Sequence, residues 1–204
     1  MIDYFALLGE DRHPWIDADL LKKRFLALSG EAHPDRVHGG SSEERLSAQH
    51  HYAELNAAYN SLRHPKERLQ HLLELETGAK PQQVQQIPAD LTEFFFEVGR
   101  LFQQVDKFLA EKAKTSSPLL LVQLFEAGQL WTEKLNALQQ RLRMRQQDST
   151  ENLKALDRQW ADQEKGDTAA RRNVLQELER LYRLFGYYAR WEAQIQERIV
   201  QLSL

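Results

Sequence analysis

His33-Pro34-Asp35 sits between two runs of helical periodicity, and its proline obliges the chain to turn there. On the upstream side Leu21, Phe25, Leu28 and Ala32 recur at helical spacing, with Asp17 or Asp19 as an acceptable N-cap. Lys22, Lys23 and Arg24 fall off that stripe. Proline disfavours helical geometry at the residue before it, so the helix is expected to stop near His33 and leave the triplet in an exposed turn. Downstream, Gly39-Gly40 extends the loop and Ser41 with Glu44 reads as a capping box. Ala48, Tyr52, Leu55, Tyr59 and Leu62 then keep the same spacing along a second helix. Two antiparallel helices joined by the loop follow from this pattern.

The flanks extend it. Asp3-Tyr4-Phe5-Ala6-Leu7-Leu8-Gly9 makes a short apolar turn of helix able to close the open side of the hairpin. Pro65 suits the first turn of another helix, with Leu69, Leu72, Leu73 and Leu75 on its apolar side. In this order, Tyr4-Phe5-Ala6-Leu7-Leu8-Gly9, the basic helix, His33-Pro34-Asp35, Leu55-Asn56-Ala57-Ala58-Tyr59-Asn60-Ser61-Leu62 and residues 65–75 resemble the J-domain pattern over about the first third of the chain. The ending Arg68-Leu69-Gln70-His71-Leu72-Leu73-Glu74-Leu75 is similar to the HscB family, J-type co-chaperones of iron-sulfur cluster assembly.

That resemblance implies a partner, a heat-shock ATPase of the DnaK/HscA type, whose ATP hydrolysis the domain stimulates. Carried over residue by residue, His33, Pro34 and Asp35 are the activating turn, and Lys22, Lys23, Arg24 and Arg36 are the basic docking surface. Clustered Lys and Arg can steer encounter with an acidic partner even in a chain of formal net charge -3. Glu31 departs from the pattern by placing an acid close to the triplet. Taken singly, Pro34 reads as a helix stop and residues 22–24 as a solvated face; only in sequence with 55–62 and 65–75 do they read as a J domain. A metal site is not expected from His33, Asp35, His38, His50 and His51, because the last two are adjacent on one helix and point about a hundred degrees apart, with no cysteine to support them.

At 204 residues, 42% hydrophobic and 28% charged, the chain has enough apolar material for one core or two small ones. The absence of cysteine excludes disulfides and cysteine ligation of zinc or a cluster, so any cluster belongs to a partner and no cofactor is expected. Asp3 and Glu10 interrupt the start, which therefore does not read as a signal peptide, and no stretch approaches the roughly twenty apolar residues of a membrane span. A soluble cytoplasmic protein is the expectation. Acids are mixed with bases throughout, so no nucleic-acid footprint appears. Without a glycine-rich phosphate loop, a nucleophile with its base, or carboxylates paired for acid-base work, the chain does not read as an enzyme.

Residues 78–89, with Gly78, Pro81 and a glutamine-rich stretch, read as a linker between a J domain at 1–77 and a second domain at 90–204. Leu91, Phe94, Phe95, Val98, Leu101, Phe102, Val105, Phe108 and Leu109 make a strong stripe that Thr115-Ser116-Ser117-Pro118 ends. Pro118 opens a helix reaching about Gln147, with a break expected near Ser149 before Leu153, Leu156 and Trp160. A last helix after Gly166-Asp167 carries Val174, Leu178, Leu181, Phe185, Tyr188, Ile195, Ile199 and Leu202. The fold class is all-α: a J domain, in which short helices flank an antiparallel helical hairpin, followed by an antiparallel three-helix bundle.

The same two-part order resembles HscB, and the resemblance implies that the bundle holds an IscU-type cluster scaffold. Here it rests on Pro88-Ala89-Asp90-Leu91 and Ala193-Gln194-Ile195-Gln196-Glu197-Arg198-Ile199. The bundle is longer than the family pattern in the stretch 148–168, and the acidic surface implied for its first helix is reduced. By position the client patch is Leu91, Phe95 and Leu184, with Phe96 and Phe185 beside it. Phe96 lies off the stripe, which makes it either an exposed anchor or a residue packed against the J domain. Leu91, Phe95 and Phe185 also read as core. Leu181-Tyr182-Arg183 spells a recognition tag of some iron-sulfur clients, most simply by chance. The alternative function is a J-domain co-chaperone whose elongated bundle serves a different client.

Overall fold

The computed structural model of the chain describes residues 1–33, 35, 39, 41–81, 87–162 and 168–203, the side chains of Pro118, Leu119, Leu121 and Thr168 excepted. Helices are the regular elements among the described residues: α1 (Tyr4–Leu7), α2 (Ala18–Glu31), α3 (Ser42–Leu62), α4 (Pro65–Thr77), a 3-10 turn (Ala89–Leu91), α5 (Thr92–Lys112), α6 (Pro118–Asp162) and α7 (Thr168–Ser203). Local chemistry sets their ends. Asp17 caps α2 by accepting from the amides of Asp19 and Leu20, and Ser41 with Glu44 forms the reciprocal box that opens α3. Pro65 occupies the first turn of α4, and Gly78 ends it at φ 74°, a left-handed geometry that glycine adopts without strain.

The chain divides into two compact units, Met1–Gln83 with Glu151–Tyr182, and Val84–Thr150 with Arg183–Leu204. The partition expected from the sequence, 1–77, 78–89 and 90–204, follows chain order; the units regroup it by assigning the last part of α6 and the first part of α7 to the first unit. In unit 1, α2 and α3 run antiparallel. The Phe25 ring stacks on Tyr59 at 4.3 Å, while His33, just beyond the end of α2, meets Tyr52, further back along α3. Leu21, Leu55, Ala58 and Leu62 are buried between them, and Phe5 and Leu8 of the α1 region join that core.

Buried polar groups key the remaining parts of unit 1 together. Arg68 is 3% exposed; its guanidinium donates from Nε to the carbonyl of Pro14 at 2.8 Å and from Nη1 to the carbonyl of Leu62 at 2.7 Å. Burial pushes its pKa down to about 10, with the Asp157 carboxylate opposing the shift, so the group stays cationic at neutral pH. Asp157 of α6 accepts from the amide of Trp15 at 3.1 Å and lies 3.2 Å from Nδ1 of His13. Trp160 donates its indole N–H to the carbonyl of Arg12 at 2.7 Å, and Arg171 lies over the Trp160 ring and pairs with Glu76 at 2.9 Å.

Unit 2 is an up-down-up bundle of α5, the proximal part of α6 and the last part of α7. Phe94, Val98, Phe102, Val105 and Phe108 of α5 pack with Leu135, Leu138 and Leu142 of α6 and with Leu184, Tyr188, Trp191, Ile195 and Leu202 of α7. Helix α6 runs 45 residues without the break expected near Ser149. Ser149 is buried with its hydroxyl 3.2 Å from that of Tyr188, and Thr150 donates to the carbonyl of Gln146 at 2.8 Å. With their hydroxyls satisfied inside the helical pattern, these residues do not compete with the backbone and the helix continues.

Candidate functional site

The turn closing the α2–α3 hairpin is the first candidate. His33 and Asp35 are exposed, with 46% and 78% of their side chains open to solvent. The amide of Asp35 donates to Nδ1 of His33 at 3.3 Å, and the His33 ring meets Tyr52 edge-on at 5.5 Å. Pro34 and Arg36 lie outside the described residues, as does His38. Lys22 and Lys23 are exposed on α2, off the buried stripe. Arg24 is partly committed within the chain: it donates to the carbonyl of Gly9 and its Nε lies 3.2 Å from Glu10. An open cavity of about 400 Å³ beside the turn is lined by Glu31, Ala32, His33, Glu44, Ser47, Ala48 and His51. Glu31 thus stands at the turn, as its sequence position suggested. Among the described residues no group of three or more His, Cys, Asp or Glu side chains is arranged to hold a metal ion, and no helix is long and apolar enough to cross a membrane.

The second candidate is the outer face of α5 in unit 2. Of the five residues expected to meet a client, Leu91, Leu184 and Phe185 are buried at 1%, 2% and 8% exposure and serve the core. Phe95 is half-buried and Phe96 is 60% exposed. The Phe95 ring touches Phe96 at 6.0 Å, Tyr187 at 6.4 Å and Trp191 at 6.2 Å, so the exposed ring is backed by an aromatic ladder. Glu97 forms a bidentate pair with Arg141; that hydrogen bond, aided by Arg100 and Arg145, holds its carboxyl below the usual range. Arg190 lies over the Tyr187 ring at 4.6 Å. An exposed glycine inside a helix costs about 1 kcal/mol relative to alanine. Gly99 is such a residue, in the turn after Phe95 and Phe96.

Sequence periodicity did not reveal Tyr187, Arg190, Arg141 or Arg145, because their roles depend on which helix lies opposite. Gly99 alone left a readable sign, as an interruption of an otherwise strong helical former. Leu181 and Tyr182 are buried at 0% and 5%, which leaves Leu181-Tyr182-Arg183 unsuited to serve as an exposed tag.

An all-α chain with an antiparallel helical hairpin that exposes Lys22 and Lys23 on one helix and His33 and Asp35 beyond its end, and with a bundle of long helices in its second unit, is the architecture these elements define. Its structural likeness is to HscB co-chaperones. The crystal structure of human co-chaperone protein HscB superposes with a TM-score of 0.62 at 19% identity, over 96% of this chain and 81% of that one. Chaperone HscB from Vibrio cholerae matches at a TM-score of 0.45 and 24% identity, over 95% of this chain and 99% of that one. No family model matches the chain. At these identities the human protein shows a shared fold.

Proposed function

We propose that this protein is a J-type co-chaperone of the cytoplasm that stimulates ATP hydrolysis by a DnaK/HscA-type heat-shock ATPase and brings it a client. The observation that carries this reading is the exposure of His33 and Asp35 at the tip of an antiparallel hairpin whose α2 face presents Lys22 and Lys23. A loop tip held by a rigid scaffold is where recognition residues belong, and the paired lysines supply the charge that steers an acidic partner. The likeness to human HscB supports the assignment of the fold to this role. The protein acts as an activator and carries no catalysis of its own. Unit 2 binds the client, by the family resemblance an IscU-type scaffold, and keeping both surfaces on one chain raises the client's effective concentration near the ATPase.

The test is a steady-state ATPase assay with the purified heat-shock ATPase. His33→Gln is expected to return the stimulated rate to the basal rate while the melting curve stays unchanged, since the side chain is exposed. Undiminished stimulation by a folded variant defeats the assignment of the turn. A different client is the second reading, favoured by the length of α6 and α7 and by the reduced acidity of α5, where the resemblance implies acids.

A further inference from the structure

Gly128 marks the level at which the three helices of unit 2 last run side by side. A Cβ added there would lie 3.8 Å from the Phe108 ring and 3.9 Å from the Leu202 carbonyl oxygen, so α6 passes close to the final turns of α5 and α7 at that point. Lys112 of α5 donates to the same Leu202 carbonyl at 3.1 Å. Helix α7 ends one residue later, at Ser203, whereas α6 begins at Pro118, ten residues before Gly128. At 1.5 Å per residue the start of α6 therefore overhangs the end of α7 by about 15 Å.

That overhang has the composition of a buried helix and stands in water. Between Pro118 and Thr132 the one charged residue is Glu126, while residues 133–147 of the same helix carry five, Glu133, Lys134, Arg141, Arg143 and Arg145. Val122, Phe125 and Leu130 are 61%, 59% and 60% exposed and fall within about 140° of the helix circumference. Leu120, also exposed, lies on the other side, five whole turns before Leu138, which is buried further along the bundle. A helix apolar on both sides is the kind that packing covers.

Charge decides what covers it. At this end of the bundle Glu111 and Glu126 are balanced by Lys112 and Lys114, so the patch has no surplus of either sign. A phosphate-rich surface or a strongly charged segment gains nothing there. A twofold that lays the patch on itself sets the acids of one copy against the bases of the other. We propose that the overhanging start of α6 is an isologous contact between two copies of this chain, with Val122, Phe125 and Leu130 at its centre. The exposed apolar side chains offer roughly 400 Å² per copy, about half of what each side of a standard interface buries, so the dimer is weak and exchanges with monomer. The contact is independent of the client reading, because it uses neither the His33 turn nor the outer face of α5.

The test uses the full chain. In sedimentation equilibrium the weight-average mass is expected to be that of the 23.9 kDa monomer at about 5 µM and to climb toward a plateau at twice that value by about 1 mM. Phe125→Glu and Val122→Glu set like charges face to face across the twofold, and each is expected to weaken association at least about tenfold. Both side chains are exposed, so the melting temperature stays unchanged. The chain has no cysteine, so a single nitroxide can be placed at Gln129→Cys, beside the patch, or at Met144→Cys, exposed and further along α6. Pulsed dipolar spectroscopy of concentrated protein is expected to give a shorter distance between copies for the first label than for the second. A chain that stays monomeric throughout, association untouched by both substitutions, the reverse order of distances, or a mass that passes the dimer without a plateau overturns the proposal. Neutral phosphatidylcholine vesicles separate the other way of covering an apolar helix. Vesicle binding that Phe125→Glu abolishes, by a protein that does not self-associate, assigns the patch to a lipid surface and removes the dimer.

Discussion

In unit 1 an apolar core is supplemented by buried and part-buried polar side chains that hold the segment between α1 and α2, whereas unit 2 relies on aromatic and aliphatic contacts, with the Ser149–Tyr188 hydrogen bond inside and its ion pairs at the surface. Arg68, Asp157 and the Trp160 indole each satisfy a backbone group of the segment between α1 and α2. Unit 2 instead sets Phe94 edge-on to Trp191 and tilts Phe108 against Trp131, with Arg141–Glu97 and Arg198–Asp106 outside. Removing one partner of a buried hydrogen bond strands the other, while thinning a hydrophobic stripe costs energy in proportion to what is removed. Unit 1 therefore fails at single polar residues, and unit 2 tolerates change until its core is cut.

The sharpest break of this contrast is Arg68→Ala. Losing the guanidinium leaves the carbonyls of Pro14 and Leu62 buried without donors, for an expected loss of about 3–5 kcal/mol. Trp15 and Trp160 report on unit 1 and Trp131 and Trp191 on unit 2, so fluorescence melts of tryptophan-deleted forms assign the loss to one unit. An equal loss in both units, or none, would sink the distinction.

A smaller effect comes with pH. His71 is 7% exposed, stacks against Tyr4 at 4.5 Å and accepts the amide N–H of Tyr4 on Nε2 at 3.0 Å. Desolvation lowers its pKa, against the Asp3 and Glu74 carboxylates that raise it and with Arg12 lowering it further. The unfolded chain therefore takes up the proton first. Stability is full above the unfolded value of about 6.5 and is lost as pH falls from there toward the depressed folded value, below which this contribution is flat. Protection factors at α1, the exchange rates divided into the intrinsic rates at each pH, should fall in the wild type through that window between pH 7.5 and 5, and His71→Gln should abolish the dependence. A step that survives the substitution assigns the titration elsewhere.

The smallest effect belongs to the surface of unit 2. Glu97 and Arg141 are 39% and 50% exposed, so Glu97→Gln is expected to change stability by no more than about 1 kcal/mol, and less at high salt. A loss well beyond that in a denaturant titration would mean that unit 2 also depends on a polar key.

The helices were legible because their causes are local. The Ser41–Glu44 box, Pro65 at the start of α4 and the α5 stripe each follow from residues a few positions apart. Asp157 and Trp15 are separated by 142 positions, and no periodicity announces their hydrogen bond. The same limit explains the expected client patch. A stripe tells which residues face inward without telling where the bundle surface begins, and so Leu91, Leu184 and Phe185 proved to be core while Phe96, off the stripe, stayed outside. Ser149 reads as a helix breaker until its partner Tyr188 is known.

The amide of Asp35 occupies Nδ1 of His33, and this fixes where the neutral imidazole keeps its hydrogen. With Nδ1 accepting from that amide, Nε2 carries the hydrogen of the neutral ring, and a group that meets the ring there has to present a lone pair.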